Sequence, residues 1–274
     1  MVLNKELIMK YTYAYNIIIS IIGLLLSLPL LAHQSCDIEL SAGLEIKPAS
    51  ITFFEQGSER ENSKLALYTI QDSKYLSIRG EKVLLTHEQL TLINAYDFHI
   101  RQLVPKVKNI AIEGVDIAID GVSIIFNSLL GEDNTVGQEL ITELNMLKQQ
   151  LDVNLSGEHD IIIGVDGLES DVLLGEDFEQ RIESAMEKAV MGSMGSLLVA
   201  LGKQMISDEE HGFENKIDTF SQTIEREMES RAKIIEDKVQ KLCSDFITLE
   251  MIETQLQESI AELQSINIFN VSHQ

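Results

Sequence analysis

From residue 36 onward the chain first alternates between apolar and polar positions, which is the pattern of short β-strands. Leu44 and Ile46, for example, stand two positions apart with a polar residue between them. A period of two, with many β-branched and aromatic residues, is typical of strands that bury one face. The polar segment 71–74 is typical of a hairpin turn. We therefore predict a β-meander of about four to six short strands over residues 36–85.

After residue 85 the spacing of apolar positions changes from two to about 3.6, the period of an α-helix. Thr86 and Gln89 form a capping-box pattern at this point. We predict a helix that ends or kinks at Pro105, because proline lacks the N–H group that a helix interior needs. Its apolar face is expected to comprise Leu90, Ile93, Tyr96, Ile100 and Leu103.

A second, very apolar helix is predicted to follow the proline. Gly114 and Gly121 each cost about 1 kcal/mol relative to Ala in a helix, so we expect close packing to offset them. The alternative is a helix that inserts into a membrane. Three acidic residues make insertion the weaker hypothesis, because charges are expensive in a bilayer. They are Glu113, Asp116 and Asp120.

The remaining chain is predicted to be mainly helical. A helix over 135–152 has a stripe of leucines, whereas the apolar run 161–163 is too short for a helix. We expect this run to form a buried strand that rejoins the N-terminal sheet. A helix over 178–205 has an uncharged middle, for which we expect full burial, with membrane contact as the alternative. An amphipathic helix over 213–249 keeps one apolar stripe throughout.

Together these elements predict an α+β fold in which a small N-terminal antiparallel β-meander packs against a set of long α-helices. We expect residues 33–274 to form a single α+β domain, with the meander at 36–85 and the mainly helical part at 86–265. The last residues, 266–274, are expected to be frayed or weakly extended.

The N-terminal segment has the features of a secretory signal peptide. Lys5 and Lys10 precede a long uncharged apolar run, and Ala32 is a small residue suited to a cleavage site. We therefore expect residues 1–32 to be a signal peptide that exports the protein to the periplasm. The alternative is an uncleaved inner-membrane signal anchor, because the apolar run is nearly long enough to cross a bilayer of about 30 Å. After cleavage, we expect no stable membrane span.

The chain contains two cysteines, Cys36 and Cys243. In an exported chain such a pair predicts a disulfide bond. The bond would close a loop of about 200 residues, for which the chain-entropy model gives a stabilisation of about 5 kcal/mol at most. Two separate thiols are the alternative.

The chain is strongly acidic, with a formal net charge of −23. Lys148 is the only lysine or arginine between Lys108 and Arg181. Such a surface repels phosphate groups, so we expect no nucleic-acid partner and no attraction to anionic lipid headgroups. The simplest role of the negative charge is to keep the protein soluble. The more specific hypothesis is that the charge attracts cationic partners or divalent cations.

No catalytic motif is present in the sequence. We find no glycine-rich phosphate loop, no G-x-S-x-G elbow, no C-x-x-C and no H-E-x-x-H. The acidic clusters lack the spacing of a calcium loop. The histidines are not spaced as ligand pairs, so we predict no metal and no cofactor. They are His33, His87, His99, His159, His211 and His273.

Several short sequence motifs follow one another in a recognisable order along the chain. They are Cys36, a G-x-x-x-x-L-T-x-x-Q step over 80–89, Tyr96, Pro105, M-G-S-L-L over 194–198 and C-S-x-x-x-T-L-E over 243–250. In this order they resemble the YggN-like family of exported proteins of Gram-negative bacteria, whose function is unknown. The resemblance implies a periplasmic location and a cysteine near each end of the mature chain. It implies no catalytic residues. The acidity and the loop within 51–62 depart from the family pattern.

The function we predict is therefore non-enzymatic. The first hypothesis is an envelope protein that binds another protein or stabilises envelope components. The alternative is a carrier of a small apolar ligand or lipid, held between the sheet and the glycine-rich helices. The sequence predicts no particular oligomeric state.

Overall fold

The computed structural model describes residues 36–55, 66–130, 137–165, 167–168, 174, 177–204 and 212–273. Side chains are not described for 128–130, 168, 196–204, 212–220, 223 and 273. The chain divides into two units, residues 1–37 with 273–274 and residues 38–272. Of the first unit, only Cys36, Asp37 and the backbone of His273 are described. The architecture below belongs to the second unit. The expected signal peptide, residues 1–32, lies outside the described residues.

The described strands confirm the predicted meander and place it in a larger antiparallel sheet. The strands are β1 (Cys36–Leu40), β2 (Gly43–Ile46), β3 (Ser50–Phe54), β4 (Ala66–Gln71), β5 (Tyr75–Ile78), β6 (Glu81–Val83), β7 (Ile161–Gly164), β8 (Gly167–Leu168) and β9 (Phe269–His273). Seven of them form one sheet in the order β6-β5-β4-β3-β2-β7-β8. As predicted, the run 161–163 rejoins the N-terminal sheet, with Leu44 opposite Ile163 and Ile46 opposite Ile161.

Four long helices account for most of the remaining described chain. They are α1 (His87–Leu130), α2 (Gln138–Asn154), α3 (Phe178–Gln204) and α4 (Gly212–Ser259). A 3₁₀ turn, Ala261–Leu263, follows α4. The α+β class predicted from the sequence is confirmed.

The start of α1 was predicted correctly, but its division into two helices was wrong. The Thr86 N–H donates to Gln89 Oε1 at 2.9 Å, and the Gln89 N–H donates to Thr86 Oγ1 at 3.3 Å, which is the capping box. Pro105 lies inside one helix of 44 residues and does not end it. A proline in a helix interior costs about 3 kcal/mol, so packing on both sides of Pro105 must hold the helix together.

The core lies between one face of the sheet and the helices α1 and α4. The sheet contributes Leu44, Ile51, Phe53, Tyr68, Ile70 and Leu76. The first half of α1 contributes Ile93, Tyr96, Ile100 and Leu103, the face predicted from the helical period. The end of α4 contributes Leu249, Leu256 and Ile260. These side chains form a single buried cluster, in which the rings of Phe53 and Tyr68 stack at 4.3 Å between centroids.

The C-terminal segment is ordered, contrary to the expectation of a frayed end. Ile266, Ile268 and Phe269 are buried, and β9 pairs with β1 in a separate two-stranded sheet. The Ser41 N–H donates to the Ile268 carbonyl at 2.9 Å. The extended conformation was expected, but fraying was wrong because the three apolar residues gain more from burial than the ordering of a few residues costs.

Three ion pairs join the antiparallel helices α1 and α4 at steps of seven residues. Lys106 contacts Asp245 at 2.6 Å. Glu113 pairs with Lys238, and Asp120 pairs with Arg231. A step of seven on both helices keeps successive pairs on one side of the interface, as in a coiled coil. The carboxylates that argued against membrane insertion of α1 therefore face a neighbouring helix.

The glycines of α1 do not have the close packing predicted for them. A Cβ atom built on Gly114 would meet nothing within 4 Å, and one on Gly121 would meet only Met228 Sδ at 3.9 Å. The prediction was wrong because Gly114 lies beside open space and Gly121 meets only a flexible side chain. The tightest of the described glycines is Gly43 in β2, where a Cβ atom would lie 2.1 Å from the ring of Phe54.

Candidate protein-interaction surface

One side of helix α3 packs against helix α2. Ala185 and Ala189 are buried there, and their small side chains allow the helices to approach closely. Lys188 Nζ contacts Glu139 of α2 at 2.8 Å. Arg181 Nε contacts Glu143 of α2 at 3.5 Å. Both of these cations on α3 are thus directed toward α2.

Next to this side, α3 exposes a row of large apolar side chains. Met186 is 53% exposed, Val190 49% and Met194 45%. They follow Phe178 and Ile182, which are partly buried, at steps of four residues. Residues four apart lie above one another on a helix, so the five side chains form a continuous stripe. We call it the α3 apolar row: Phe178, Ile182, Met186, Val190 and Met194.

This row corrects the expectation that the uncharged middle of α3 is fully buried. Only Ala185 and Ala189 are buried among the described side chains of α3, and Met186 and Val190, next to them, are about half exposed. A long uncharged segment indicates which residues can be buried. It does not indicate whether a second layer of structure is present to bury them.

An acidic row runs directly beside the apolar row. Glu179, Glu183 and Glu187 are exposed and stand four residues apart, and the next position in their line is Met191, which is 66% exposed. We call the three glutamates the α3 acidic row. The α3 acidic row, Met191 and all of the α3 apolar row except Met194 line an open depression of about 560 Å³. The surface is apolar at its centre and anionic along one edge.

A buried carboxylate, Glu253, forms the main polar cluster of the core. Its side chain is 3% exposed. The Tyr96 hydroxyl donates to Glu253 Oε1 at 3.2 Å, and the Ile268 N–H donates to the same oxygen at 2.9 Å. The Phe269 N–H donates to Glu253 Oε2 at 3.0 Å. The carboxylate therefore holds the start of β9 against α1 and α4.

Burial dominates the electrostatics of this cluster. It raises the pKa of the Glu253 carboxyl from 4.5 to about 7, although the hydrogen bonds from Phe269, Ile268 and Tyr96 act in the opposite direction. Burial also raises the pKa values of the Tyr96 and Tyr68 hydroxyls well above 10, so both stay neutral. Their oxygen atoms lie 3.3 Å apart.

A second buried carboxylate, Asp97, has partners of its own. Ser73 Oγ donates to Asp97 Oδ2 at 2.8 Å, and Arg101 Nε donates to the same oxygen at 3.1 Å. Arg101 also donates from Nη1 to the Lys47 carbonyl at 2.8 Å. These bonds tie the β4–β5 hairpin and the end of β2 to α1. Asp97 and Glu253 share no hydrogen-bond partner, and neither lines the depression on α3.

Sequence reasoning named neither Glu253 nor the two rows on α3. A signal for Glu253 existed, because it lies four residues after Leu249 and three before Leu256, at a core position of the α4 stripe. A signal for the acidic row also existed in the spacing of Glu179, Glu183 and Glu187. The exposure of the apolar row could not be predicted from the sequence, because it depends on how the helices pack against one another.

The two cysteines that the sequence singled out are both disulfide-bonded. Since the chain has only two, the bond joins Cys36 and Cys243. Cys243 is buried on α4. The bond lies away from the α3 depression, whose lining contains neither residue.

The described part of the chain offers neither a metal site nor a membrane-spanning helix. No three residues among its histidines, cysteines, aspartates and glutamates are grouped so that they could hold a metal ion. No described helix combines the length and apolarity that a membrane crossing requires. The most distinctive surface is thus the pair of rows on α3.

The fold and this surface define an α+β protein with an unpartnered apolar helix face. A family model described as a protein of unknown function, DUF2884, matches residues 36–269. The match spans most of the chain, which therefore belongs to the DUF2884 family. Membership of a family of unknown function agrees with the resemblance found in the sequence, and the more specific YggN-like resemblance stays a prediction. The comparisons with curated proteins and with solved structures give no match.

Proposed function

We propose that this protein is a non-enzymatic periplasmic factor that binds another protein through the α3 apolar row. The observation that carries the proposal is the exposure of Met186, Val190, Met191 and Met194 on one helix face. Contiguous exposed apolar residues beside a polar edge are typical of protein interfaces. Covering one such side chain contributes about 1.5–3 kcal/mol at most, so a few suffice for a specific complex.

The dimensions of the row suit a helical partner. From Phe178 to Met194 the helix rises about 24 Å, at 1.5 Å per residue. A partner helix of about 16 residues would match that length. Methionines suit such an interface because their flexible side chains adapt to different apolar surfaces.

The acidic row favours a protein as the partner and disfavours a membrane. Anionic headgroups would meet Glu179, Glu183 and Glu187 at the edge of the apolar row, and like charges repel. A protein partner can place cationic or polar groups at these positions instead. The membrane-contact alternative for α3 is therefore the weaker hypothesis.

Site-specific photocrosslinking tests the proposed interface. A photoreactive amino acid replaces Met186 or Met191 in the protein expressed in its own cells, and the adducts are separated by mass. We expect the same discrete adduct from both positions. Matched controls are Ile234 and Val239, exposed apolar residues of α4, which are expected to give no such adduct.

Two results would count against the interface. One is the absence of any discrete adduct from the α3 positions, and the other is the same adducts from the α3 and α4 positions.

Met186→Gln, introduced together with the crosslinker at Met191, is expected to weaken the adduct by reducing the apolar area. Fractionation of the same cells tests the periplasmic location, which recovery with cytoplasmic markers would contradict.

The carrier of a small apolar ligand or lipid stays the alternative prediction. The apolar depression on α3 is formed along a single helix and is open to solvent, whereas a carrier needs an enclosed site. Native mass spectrometry distinguishes the two hypotheses. A lipid that co-purifies at one molecule per chain, and that is lost in Met186→Gln/Met191→Gln, would favour the carrier.

The buried carboxylates give no support to an enzyme. Asp97 and Glu253 accept hydrogen bonds that hold structural elements together, and of their four oxygens only Asp97 Oδ1 has no partner in the described structure. Both carboxylates are buried, whereas general acid–base catalysis requires a carboxylate that a substrate can reach. We therefore keep the non-enzymatic hypothesis.

A further inference from the structure

We propose that the partner presents a cationic amphipathic helix, whose apolar face covers the α3 apolar row and whose lysines or arginines pair with the α3 acidic row. The inference rests on the proposed protein-binding function and specifies the chemistry of its partner. It is carried by the arrangement of charge on α3.

The first step of the argument is the position of the acidic row relative to the apolar row. Each glutamate directly follows a member of the apolar row in sequence: Glu179 follows Phe178, Glu183 follows Ile182 and Glu187 follows Met186. The two rows therefore run side by side for a little over two turns. A partner helix in the depression would meet apolar side chains along its centre and carboxylates along one edge, once per turn.

The second step concerns the charges that surround these glutamates. Within the described part of the structure, Glu179, Glu183 and Glu187 form no ion pair and no side-chain hydrogen bond. The two cations of α3 whose side chains are described, Arg181 and Lys188, are instead paired with glutamates of α2. Within the described side chains, α3 therefore supplies no counter-charge to the anionic edge of the depression.

The third step is the comparison of possible occupants. A second copy of this chain carries the same net charge of −23, so its approach is opposed by repulsion between the copies. A cationic helix is attracted both by the whole protein and by the acidic row. An amphipathic helix in an apolar, methionine-lined groove is also an established mode of protein recognition. Charge complementarity therefore selects this occupant.

The test uses three synthetic helical peptides with one shared apolar pattern. Leucines form the apolar face of each, and the polar positions are all lysine, all glutamine or all glutamate. Binding to the purified protein is measured by fluorescence anisotropy. We expect the lysine peptide to bind at least tenfold more tightly than the glutamine peptide. The glutamate peptide should bind more weakly than both, and salt should weaken the lysine peptide selectively.

Matched variants separate the acidic row from the general charge of the protein. Glu183→Gln/Glu187→Gln is expected to weaken the lysine peptide about threefold to tenfold, as for two exposed ion pairs, and to leave the glutamine peptide unchanged. Glu225→Gln/Glu229→Gln makes the same charge change at the same spacing on α4 and should have little effect. Met186→Gln/Met191→Gln should weaken both peptides.

Each contrary outcome identifies what has failed. Equal binding of the three peptides, with loss in Met186→Gln/Met191→Gln, would overturn the cationic partner and leave the proposed function standing. Equal effects of the α3 and α4 glutamate pairs would overturn the role of the acidic row. Failure of all three peptides would also overturn the inference, and crosslinking at Met191 would then decide the proposed function separately.

Two further occupants are tested directly. Self-association in sedimentation that is lost in Met186→Gln/Met191→Gln would assign the surface to a second copy. Cosedimentation with phosphatidylcholine or phosphatidylglycerol vesicles that is lost in the same variant would assign it to a membrane. Either result would overturn the cationic-helix partner.

Discussion

At the scale of single residues, Glu253 determines how stability responds to pH. Its pKa is about 7 in the folded protein, above the ordinary value of 4.5. The folded state therefore holds the proton more tightly than the unfolded state. The resulting stabilisation is fully present below pH 4.5, and it is lost as the pH rises through about 7. The shift corresponds to about 3 kcal/mol.

Removing the carboxyl should remove this part of the pH dependence. In Glu253→Gln, we expect the free energy of unfolding to fall less between pH 5 and pH 8 than in the wild type, by about 2–3 kcal/mol. Urea denaturation at the two pH values measures it. Glu258→Gln, at an exposed position of the same helix, is the control and should keep the wild-type difference. An unchanged pH dependence in Glu253→Gln would contradict the assignment.

Two glycines should respond to alanine in opposite directions. Gly43→Ala places a Cβ atom against the Phe54 ring, which is itself buried, so we expect a loss of about 1–3 kcal/mol. Gly114→Ala adds a methyl group in open space within α1 and improves helix propensity, so we expect a gain of about 0.5–1 kcal/mol. Thermal unfolding of both variants measures the contrast. Destabilisation by Gly114→Ala would show that a close neighbour exists there.

At the residue scale, interactions between neighbours in sequence could be predicted. Interactions between residues far apart in sequence could not. The capping box of Thr86 and Gln89 involves atoms three residues apart, so the sequence shows it. The partners of Glu253 come from α1 and from the segment that leads into β9. The sequence does show a carboxylate within an apolar stripe, but it does not show which donors will satisfy it.

At the scale of elements, the ion pairs between α1 and α4 help to set the register of the two helices. Lys238→Glu brings two carboxylates together at Glu113, and we expect a loss of about 0.5–1 kcal/mol. Adding Glu113→Lys restores an opposite-charge pair, so the double variant should recover most of this loss. A double-mutant cycle in urea measures the coupling. Additive effects of the two changes would contradict a direct contact.

The final strand should contribute to stability despite its terminal position. Ile268, which directly precedes β9, is fully buried in the core, so Ile268→Ala should cost about 2–4 kcal/mol. Asn270→Ala changes an exposed residue of β9 itself and should cost less than about 0.5 kcal/mol. Chemical denaturation measures both losses. Equal and small losses in Ile268→Ala and Asn270→Ala would show that the C-terminal end is held only weakly.

Among the elements, the existence of each helix could be predicted more easily than its surroundings. The 3.6-residue period predicted α1 and α4, and the leucine stripe predicted α2. The continuity of α1 through Pro105 depends on tertiary packing that offsets a local cost. The exposure of Met186 and Val190 depends on the absence of a covering layer, which no local pattern encodes.

At the scale of the whole molecule, the disulfide between Cys36 and Cys243 should increase the stability of the oxidised form. The chain-entropy model gives about 5 kcal/mol at most for a loop of about 200 residues, and measured values are usually smaller. We expect Cys36→Ser/Cys243→Ser to lower the melting temperature, and a reducing agent to lower that of the wild type but not that of the variant. Equal melting temperatures for oxidised and reduced protein would contradict the expectation.

The position of β7 in the sheet has a consequence for biosynthesis. β2 has β3 on one side, a neighbour in sequence, but its other neighbour is β7, which is made more than a hundred residues later. Until that segment joins the sheet, the incomplete meander has an unpaired edge with open N–H and C=O groups. Such an edge can recruit other chains, so we expect rapid completion of the sheet, or chaperones, to limit aggregation during folding.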